Sequence, residues 1–387
     1  MLSTPLSLEL VRGLAELEPT PRGLRTHRLP LWARTQFPDP QLLAMEQQPS
    51  GARVAVLTSA GHLELELHPT RVTYRGADRP RGRVDVLVDD VLLLSDPLTG
   101  GDALEVDLQT GESALLSGPS HRTALTDLPP GPKQVEFWLP HNEAVELVEL
   151  RSDAPVAPID PGARPRWVHY GSSISHGSNA ASPTQIWPAV AAHASGVQLR
   201  NLGLGGSAMV DPFVARTIRD APADVISLKL GINVVNLDAM RLRSFVPAVH
   251  GFLDTIREGH STTPIHLVSP IHCGIHEHTP GPGLIDPDSI GTPQVRFAAS
   301  GAEGDTALGR LTLTVIREAL EEVAAARPDD QNLHYLDGRE LYDEADGAEH
   351  PLPDALHPDT ATHRIIGSRF AQKVLGAGEQ SRHAPRP

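Results

Sequence analysis

The chain between about residue 50 and residue 152 alternates apolar and polar residues with a period of two. The alternation is clearest in GHLELELHPTRVTY, GRVDVLVDDVLLL and KQVEFWLPHNEAVELVEL, and glycine- and proline-rich clusters such as DPLTGGD and LPPGPK separate these segments. A strand that buries one face shows this period, because successive side chains point to opposite sides of the sheet. The pattern predicts short antiparallel strands in an all-β sandwich of the jelly-roll kind.

A proline-rich stretch, RSDAPVAPIDPGARPR, follows at residues 151–166, and the period then changes. Short apolar segments now alternate with segments of helical period. The strands are predicted in RWVHYG, GVQLRN, ADVISLKLG, PIHLVSPI and LHYLDG, and the helices in WPAVAAHASG, LDAMRLRSFVPAVHGFLDTIREGH, TALGRLTLTVIREALEEVAAAR and DTATHRIIGSRFAQKVL. This order predicts a parallel sheet with helices on both faces, whose functional residues lie at the carboxyl ends of the strands. We therefore expect a β-sandwich domain over residues 1–160 and an α/β domain over residues 161–387.

Composition narrows the function classes. The chain has 387 residues, is 40% hydrophobic and carries a formal net charge of −15, which argues against nucleic acid or an anionic membrane surface as a partner. No apolar run approaches the roughly 20 residues that span a bilayer. The first residues, MLSTPLSLELVRGLAELEPT, lack a basic region ahead of an apolar run, so we expect no signal peptide and a cytoplasmic location. The single cysteine, Cys273, allows no internal disulfide and fits a reducing compartment.

Candidate chemistry begins with Ser173, which follows the predicted strand RWVHYG. A serine nucleophile needs a base, a group that orients the base and hydrogen-bond donors for the oxyanion. Asp354 and His357, three residues apart in LPDALHPDTATH, can hold a carboxylate against one imidazole nitrogen and leave the other nitrogen for the serine proton. The alternative is a helix start at which Asp359 caps the helix and His357 faces solvent.

Oxyanion donors are available after two other predicted strands. NLGLGGSAM offers the backbone amide of Gly206, and LKLGINVVN offers the side-chain amide of Asn233. Each segment alone is equally typical of a tight turn, and the spacing of a phosphate-binding glycine loop is absent from GLGGS. Ser175 and Ser207 are rival nucleophiles, although both fit local backbone capping better.

Four motifs in a fixed order resemble the blocks of the SGNH hydrolases, also called GDSL esterases and lipases. The four are Gly171–Ser172–Ser173–Ile174, Asn201 through Gly206, Gly231–Ile232–Asn233–Val234, and Asp354 to His357. The resemblance covers roughly residues 165–375. It implies a flavodoxin-like parallel sheet, a catalytic triad of Ser173, His357 and Asp354, and an oxyanion hole formed by the amides of Ser173 and Gly206 with the Asn233 side chain. Ser172 and Val234 stand where the family has aspartates, so details of substrate fit do not carry over.

The resemblance implies acyl transfer from an ester or thioester through an acyl-serine intermediate. Two-domain members of the family include carbohydrate acetylesterases and a salicylyl-transferring enzyme of tetracycline-type polyketide tailoring. We expect an acyltransferase that acylates a hydroxyl of a natural product, with acyl-CoA as an available donor and no cofactor. The alternative acceptor is water, which makes the protein an esterase of small esters or acetylated carbohydrates. A protein of another class, a carbohydrate binder with a degenerate hydrolase domain, is the remaining hypothesis.

The segment PIHCGIHEHTPG brings His272, Cys273, His276 and His278 close together in the sequence. Such a cluster is compatible with a metal site, but no matching second cluster is evident. We therefore predict no metal and interpret residues 272–305 as a lid or a substrate-lining loop, because the segment is long and lacks periodicity.

Overall fold

The computed structural model describes residues 1–376 except 76–79, 108–109, 161, 291 and 293–294. The chain divides into two compact units. The first contains Met1–Ala163 and Ser182–Thr184, and the second contains Arg164–Ala181 and the chain from Gln185 onward. The division after Ala163 lies close to the predicted boundary after residue 160. Among the described residues, none of the helices could span a lipid bilayer.

The first unit is built mainly from β-strands. Its strands are β1 (Leu2–Thr4), β2 (Val11–Arg12), β3 (Glu16–Pro19), β4 (Leu24–His27), β5 (Arg53–Thr58), β6 (Leu63–Tyr74), β7 (Arg83–Val88), β8 (Val91–Pro97), β9 (Asp102–Val106), β10 (Ser113–Leu116), β11 (His121–Leu125), β12 (Lys133–Trp138), β13 (Ala144–Ser152) and β14 (Val156–Pro158). Two short helices, α1 (Leu31–Gln36) and α2 (Pro40–Glu46), precede β5. Asp39 caps α2 by accepting a hydrogen bond from the Leu42 backbone N–H, and Pro40 occupies its first turn.

The described strands of this unit form two sheets that share one apolar core. One sheet has the order β10-β9-β6-β13-β4-β3, with β1 on β13 and β11 on β6, and the other has the order β14-β5-β12-β7-β8, with β2 on β5. Strand β6 shows the predicted alternation, because Leu63, Leu65 and Leu67 are fully buried while Glu64 and Glu66 between them are partly exposed. The core combines side chains of both sheets, so the unit is a β domain with two facing sheets. Its jelly-roll classification stays a prediction.

The second unit alternates strands and helices. Its strands are β15 (Arg166–Gly171), β16 (Gln198–Gly203), β17 (Val225–Lys229), β18 (Ile265–Val268), β19 (Gly283–Ile285), β20 (Phe297–Ala299) and β21 (Leu333–Leu336). Its helices are α3 (Ser173–His176), α4 (Trp187–Ser195), α5 (Pro212–Arg219), α6 (Ile232–Asn236), α7 (Leu242–Gly259), α8 (Leu313–Ala325), α9 (Glu344–Glu349) and α10 (Thr360–Val374). Short 3-10 helices occur at Pro183–Gln185, Pro287–Ser289, Glu303–Leu308 and Gly338–Glu340.

A parallel sheet organises this unit. Its strand order is β16-β15-β17-β18-β21, which is the flavodoxin-like order 2-1-3-4-5 within the unit. Helices cover both faces: Trp167 of β15 contacts Trp187 of α4 and Phe370 of α10, whereas Tyr170 stacks on Phe252 of α7. Because the strands are parallel, the segments after β15, β16 and β17 leave the sheet at one edge. Ser173, Gly206 and Asn233 all lie in those segments.

Two predicted helices begin later than their sequence period indicated. The helix predicted from residue 237 begins at Leu242, because the short helix α6 ends at Asn236 and Arg241 has extended backbone ahead of α7. The helix predicted from residue 306 begins at Leu313, where the Thr312 hydroxyl caps the Val315 N–H. Apolar periodicity continues through such local caps and therefore does not locate them.

The segment predicted as an aperiodic loop, residues 272–305, contains regular structure. Strands β19 and β20 pair antiparallel, with Ile285 opposite Phe297 and Gly283 opposite Ala299. Residues 291 and 293–294 of the predicted loop lie outside the described residues. The strands are too short for the alternation to stand out in the sequence, so the prediction of an aperiodic loop was wrong at these positions.

Candidate active site

Ser173 is placed by a sharp strand-to-helix turn. Strand β15 ends at Gly171, and Ser172 then caps helix α3 by accepting a hydrogen bond from the Ile174 N–H at 3.3 Å. A side chain at Gly171 would bring its Cβ within 2.3 Å of Ser175 Oγ. The glycine therefore lets the helix sit directly on the strand end. Ser172, which stands where the family has aspartate, serves as the helix cap.

A chain of hydrogen bonds joins the serine to an imidazole and a carboxylate. Ser173 Oγ lies 2.9 Å from His357 Nε2, and His357 Nδ1 lies 2.8 Å from Asp354 Oδ2. The backbone N–H groups of Leu356 and His357 also donate to Asp354 Oδ1, at 3.0 and 2.6 Å. Burial by itself would raise the pKa of Asp354, but the hydrogen bonds and the charge of His357 outweigh burial, and the net shift lowers that pKa. The carboxylate is thus held ionised against the imidazole.

The helix-start alternative applies to a neighbouring residue. Asp359 does cap α10, because its side chain accepts from the Thr362 N–H at 2.9 Å. The His357 side chain is only 12% exposed and faces Ser173. Ala355, between the acid and the base, has a φ of +66°, a left-handed conformation that makes the turn tight enough for Asp354 to reach back to His357.

The two predicted oxyanion segments are linked to each other. Asn233, buried in the short helix α6, accepts a hydrogen bond on Oδ1 from the Ala208 N–H at 3.1 Å. This contact fixes the orientation of the amide and leaves its Nδ2 as the donor end. Gly206 lies two residues before Ala208 with a φ of +68°, a conformation that favours glycine. The turn that carries the backbone amide is thereby tied to the side chain that carries the second donor.

The rival serines have other contacts. Ser175 Oγ lies 2.7 Å from His169 Nε2, and both side chains are fully buried. Burial, together with the positive charge of Lys229, lowers the pKa of His169 to about 3, so this imidazole is neutral. The network continues from His169 to Ser227, which accepts a hydrogen bond from Trp167 Nε1. This pair is a buried support beneath helix α3, out of reach of a substrate. The Ser207 backbone N–H donates to the Leu204 carbonyl within the turn at 3.0 Å, and the capping role of its hydroxyl stays a prediction.

Two contacts of the Ser173–His357–Asp354 hydrogen-bond chain carry no motif signal in the sequence. Asn179 Nδ2 donates to Asp354 Oδ2 at 3.0 Å, the oxygen that also faces His357. The Phe297 ring meets the His357 imidazole edge to face, with ring centres 5.5 Å apart and planes at 77°. Neither residue lies at a recognisable spacing from Ser173 or His357, so pattern analysis alone could not find them.

The histidine-rich segment is occupied by structural contacts. His276 Nε2 lies 3.2 Å from Asn236 Oδ1, and His272 Nδ1 lies 3.4 Å from Glu277 Oε1. Cys273 Sγ donates to the Ala355 carbonyl at 3.4 Å, and burial, with the nearby charge of Glu277, raises the pKa of this thiol to about 12. Within the described ranges, no group of three or more His, Cys, Asp or Glu side chains is arranged to hold a metal ion.

Comparisons with known proteins agree with this architecture. Residues 165–277 match the family model of the GDSL-like lipase/acylhydrolases. A solved structure of the salicylyl-acyltransferase SsfX3 from a tetracycline biosynthetic pathway is 29% identical, with a TM-score of 0.76, over 95% of this chain and 94% of that chain. No curated protein sequence matches the chain.

Two more distant structures share the fold. A protein from Bacteroides ovatus described as a GDSL-like lipase is 18% identical, with a TM-score of 0.64, over 95% of each chain. An active-site mutant of a family two carbohydrate esterase from Clostridium thermocellum is 13% identical, with a TM-score of 0.55, over 84% of this chain and 92% of that chain. The family model and the similarity to the salicylyl-acyltransferase structure indicate one enzyme class. Residues 165–277 of this protein match the GDSL-like lipase/acylhydrolase family model, and the protein is a serine esterase or acyltransferase.

Proposed function

We propose that the protein transfers an acyl group from an ester or thioester through an acyl-serine intermediate on Ser173. The observation that carries this proposal is the continuous hydrogen-bond chain from Ser173 Oγ through His357 to Asp354, at 2.9 and 2.8 Å. Hydrogen-bond reach between nucleophile and base, with the base oriented by a third group, is the geometry that serine nucleophiles require.

In the acylation step, Ser173 Oγ attacks the carbonyl carbon of the donor while its proton passes to His357 Nε2. The charge that develops on the carbonyl oxygen is stabilised by the backbone amides of Ser173 and Gly206 and by Asn233 Nδ2. A preorganised donor of this kind contributes about 3 kcal/mol to transition-state stabilisation. The carbon–oxygen or carbon–sulfur bond then breaks, and His357 returns the proton to the leaving alcohol or thiol.

In the second step, His357 takes a proton from the acceptor, whose oxygen attacks the acyl-serine carbonyl, and Ser173 leaves with the proton. Asp354 serves both steps by holding the imidazole in one orientation and by stabilising its protonated form. The same residues serve water and an alcohol as acceptor, so the distinction between an esterase and an acyltransferase depends on how the acceptor is bound.

We infer an acyltransferase that acylates a hydroxyl of a natural product, with a small acyl donor such as acyl-CoA and with no cofactor. This preference is supported by the 29% identity to a salicylyl-acyltransferase, which extends over nearly all of both chains. Hydrolysis of small esters or acetylated carbohydrates is the second candidate, supported by the family itself and by the fold shared with carbohydrate esterases. The intact Ser–His–Asp geometry speaks against a degenerate site that only binds carbohydrate.

A fluorophosphonate probe tests the proposal directly, because it labels only activated serines. The labelled peptide is expected to contain Ser173, and Ser173→Ala and His357→Ala are each expected to abolish labelling and turnover without unfolding the chain. Ser207→Ala is the matched control, since it removes a neighbouring rival hydroxyl and is expected to keep the label. Absence of labelling in the folded wild-type chain would refute the proposal.

The acceptor is tested with aryl and short acyl thioesters, offered with and without polyhydroxylated acceptors. Acylated acceptor is the expected product when the acceptor saturates, as mass spectrometry would show. Predominant hydrolysis under those conditions would remove the acyltransferase and leave the esterase.

A further inference from the structure

The hairpin of strands β19 and β20, here called the site hairpin, begins on the helix that carries an oxyanion donor. A Cβ at Gly281 would lie 1.8 Å from the Val235 carbonyl oxygen, and one at Gly283 would lie 2.0 Å from Asn236 Oδ1. Both partners belong to α6, the helix that holds Asn233. The missing side chains let the backbone of the hairpin lie directly on this helix.

The other strand of the site hairpin contacts the acid and the base. The Phe297 N–H donates to the Asp354 backbone carbonyl at 2.8 Å, and the Phe297 ring packs against the His357 imidazole. The pairing continues past the strands, because the Asp286 N–H donates to the Arg296 carbonyl at 2.8 Å. The hairpin therefore spans from the oxyanion side of the site to the side of the general base and holds Phe297 in place.

The face that carries Phe297 also carries an exposed aliphatic side chain. Ile285 is paired directly with Phe297, and side chains of directly paired residues lie on the same face of a two-stranded ribbon. Ile285 is 44% exposed and Phe297 is half-buried, whereas the neighbouring Leu284, opposite Ala298, belongs to the other face. An apolar surface thus continues outward from the imidazole.

The position of this surface identifies the part of the substrate that it meets. His357 Nε2 gives its proton to the leaving oxygen of the donor and takes a proton from the incoming oxygen of the acceptor. Both oxygens must therefore lie beside the imidazole. The acyl chain is bonded to the same carbon and extends from it in a different direction. A surface packed against His357 meets the alcohol half of the ester, whether that ester is being formed or cleaved.

Resting on the proposed acyl transfer at Ser173, we propose that Phe297 and Ile285 bind the alcohol half of the ester and that this half carries an apolar, carbon-rich skeleton, preferably an aromatic ring. An aromatic edge and an aliphatic side chain gain free energy by covering apolar carbon and provide no hydrogen-bond donors or acceptors for a densely hydroxylated sugar.

Four small esters test the proposal with the full-length chain. Ethyl acetate is the reference, and 2-phenylethyl acetate adds a phenyl group to the alcohol half. Ethyl phenylacetate adds the same group to the acyl half, and 6-O-acetylglucose supplies a sugar with free hydroxyls as the alcohol half. The measured quantity is kcat/KM of each ester relative to ethyl acetate, for the wild type and for Phe297→Ala, Ile285→Ser and Leu284→Ser. Fluorophosphonate labelling of every variant reports separately whether Ser173 is activated.

We expect the wild type to prefer 2-phenylethyl acetate to both ethyl acetate and the sugar ester. Phe297→Ala and Ile285→Ser are each expected to lower the preference for 2-phenylethyl acetate by about tenfold, the effect of losing roughly 1.4 kcal/mol of apolar contact. The ratio for ethyl phenylacetate is expected to stay within about twofold in all variants, and Leu284→Ser, on the other face, is expected to match the wild type.

Three results would each overturn the proposal while labelling persists. The first is an equal loss of relative kcat/KM on both phenyl esters, and the second is an unchanged preference for 2-phenylethyl acetate in Phe297→Ala and Ile285→Ser. The third is a wild-type preference for the sugar ester. Loss of labelling in the wild type would instead refute the acyl-transfer mechanism on which the proposal rests.

Discussion

Replacement of Ser175 by alanine tests whether this serine is structural, in contrast to the proposed nucleophile Ser173. Ser175 Oγ lies 2.7 Å from His169 Nε2, and both side chains have no solvent exposure. Ser175→Ala leaves a fully buried imidazole nitrogen without this partner. The loss of one partner of a buried hydrogen bond costs about 1–3 kcal/mol.

The expected size of the thermal effect follows from the α/β unit that holds this pair. For a domain of 150–250 residues, each kcal/mol shifts the melting temperature by about 2–4 °C, so Ser175→Ala is expected to lower Tm by about 2–12 °C. Ser173→Ala removes a partly exposed hydroxyl and is expected to change stability by no more than about 0.5 kcal/mol.

Differential scanning calorimetry and fluorophosphonate labelling together measure both effects. Below its melting temperature, Ser175→Ala is expected to be labelled at Ser173 like the wild type, while Ser173→Ala is expected to melt like the wild type and take no label. A folded Ser175→Ala chain that takes no label would refute the assignment of the nucleophile. A Ser175→Ala chain that melts like the wild type would refute the reasoning about the buried pair.

Three further predictions concern the oxyanion donor, the acid and the backbone. Asn233→Ala is expected to lower kcat by about 10²–10³-fold in steady-state ester assays, because it removes the amide donor, and a change below about threefold would contradict this role. The lowered pKa of Asp354 means that its contribution to stability is present above its unfolded pKa, near 4, and is lost as the pH falls through its folded pKa. Urea titrations are therefore expected to show a difference in the free energy of unfolding between wild type and Asp354→Asn that shrinks below about pH 4. A difference independent of pH would contradict the lowered pKa of Asp354. Gly203→Ala places a Cβ 2.4 Å from the His176 backbone nitrogen and is expected to destabilise the chain by about 1–3 kcal/mol. Gly251→Ala lies in the middle of α7, where the new Cβ has nothing within 4 Å, and is expected to stabilise the chain by about 0.5–1 kcal/mol. The reverse order of the two melting temperatures would refute the packing argument.

Much of the secondary structure could be predicted because burial on one face leaves a period in the sequence. RWVHYG was predicted as a buried strand, and β15 spans those six residues. The starts of α7 and α8 were misplaced, since the caps at Arg241 and Thr312 lie inside longer apolar patterns. The hairpin of β19 and β20 was interpreted as a loop because strands of three residues are too short to show alternation.

The candidate site likewise has features that the sequence indicates and features that only the structure shows. The sequence by itself determined which residue types were available, since Ser173, Asn233 and His357 stand in motifs whose fixed order resembles the blocks of one family. Only the tertiary structure decided that Ser173 Oγ and His357 Nε2, 184 residues apart in the chain, lie 2.9 Å from each other. It alone revealed the contacts of Asn179 and Phe297 with the acid and the base. The physical reason is that a local pattern records which face of an element is buried, whereas a contact between distant elements depends on how the whole sheet and its helices pack.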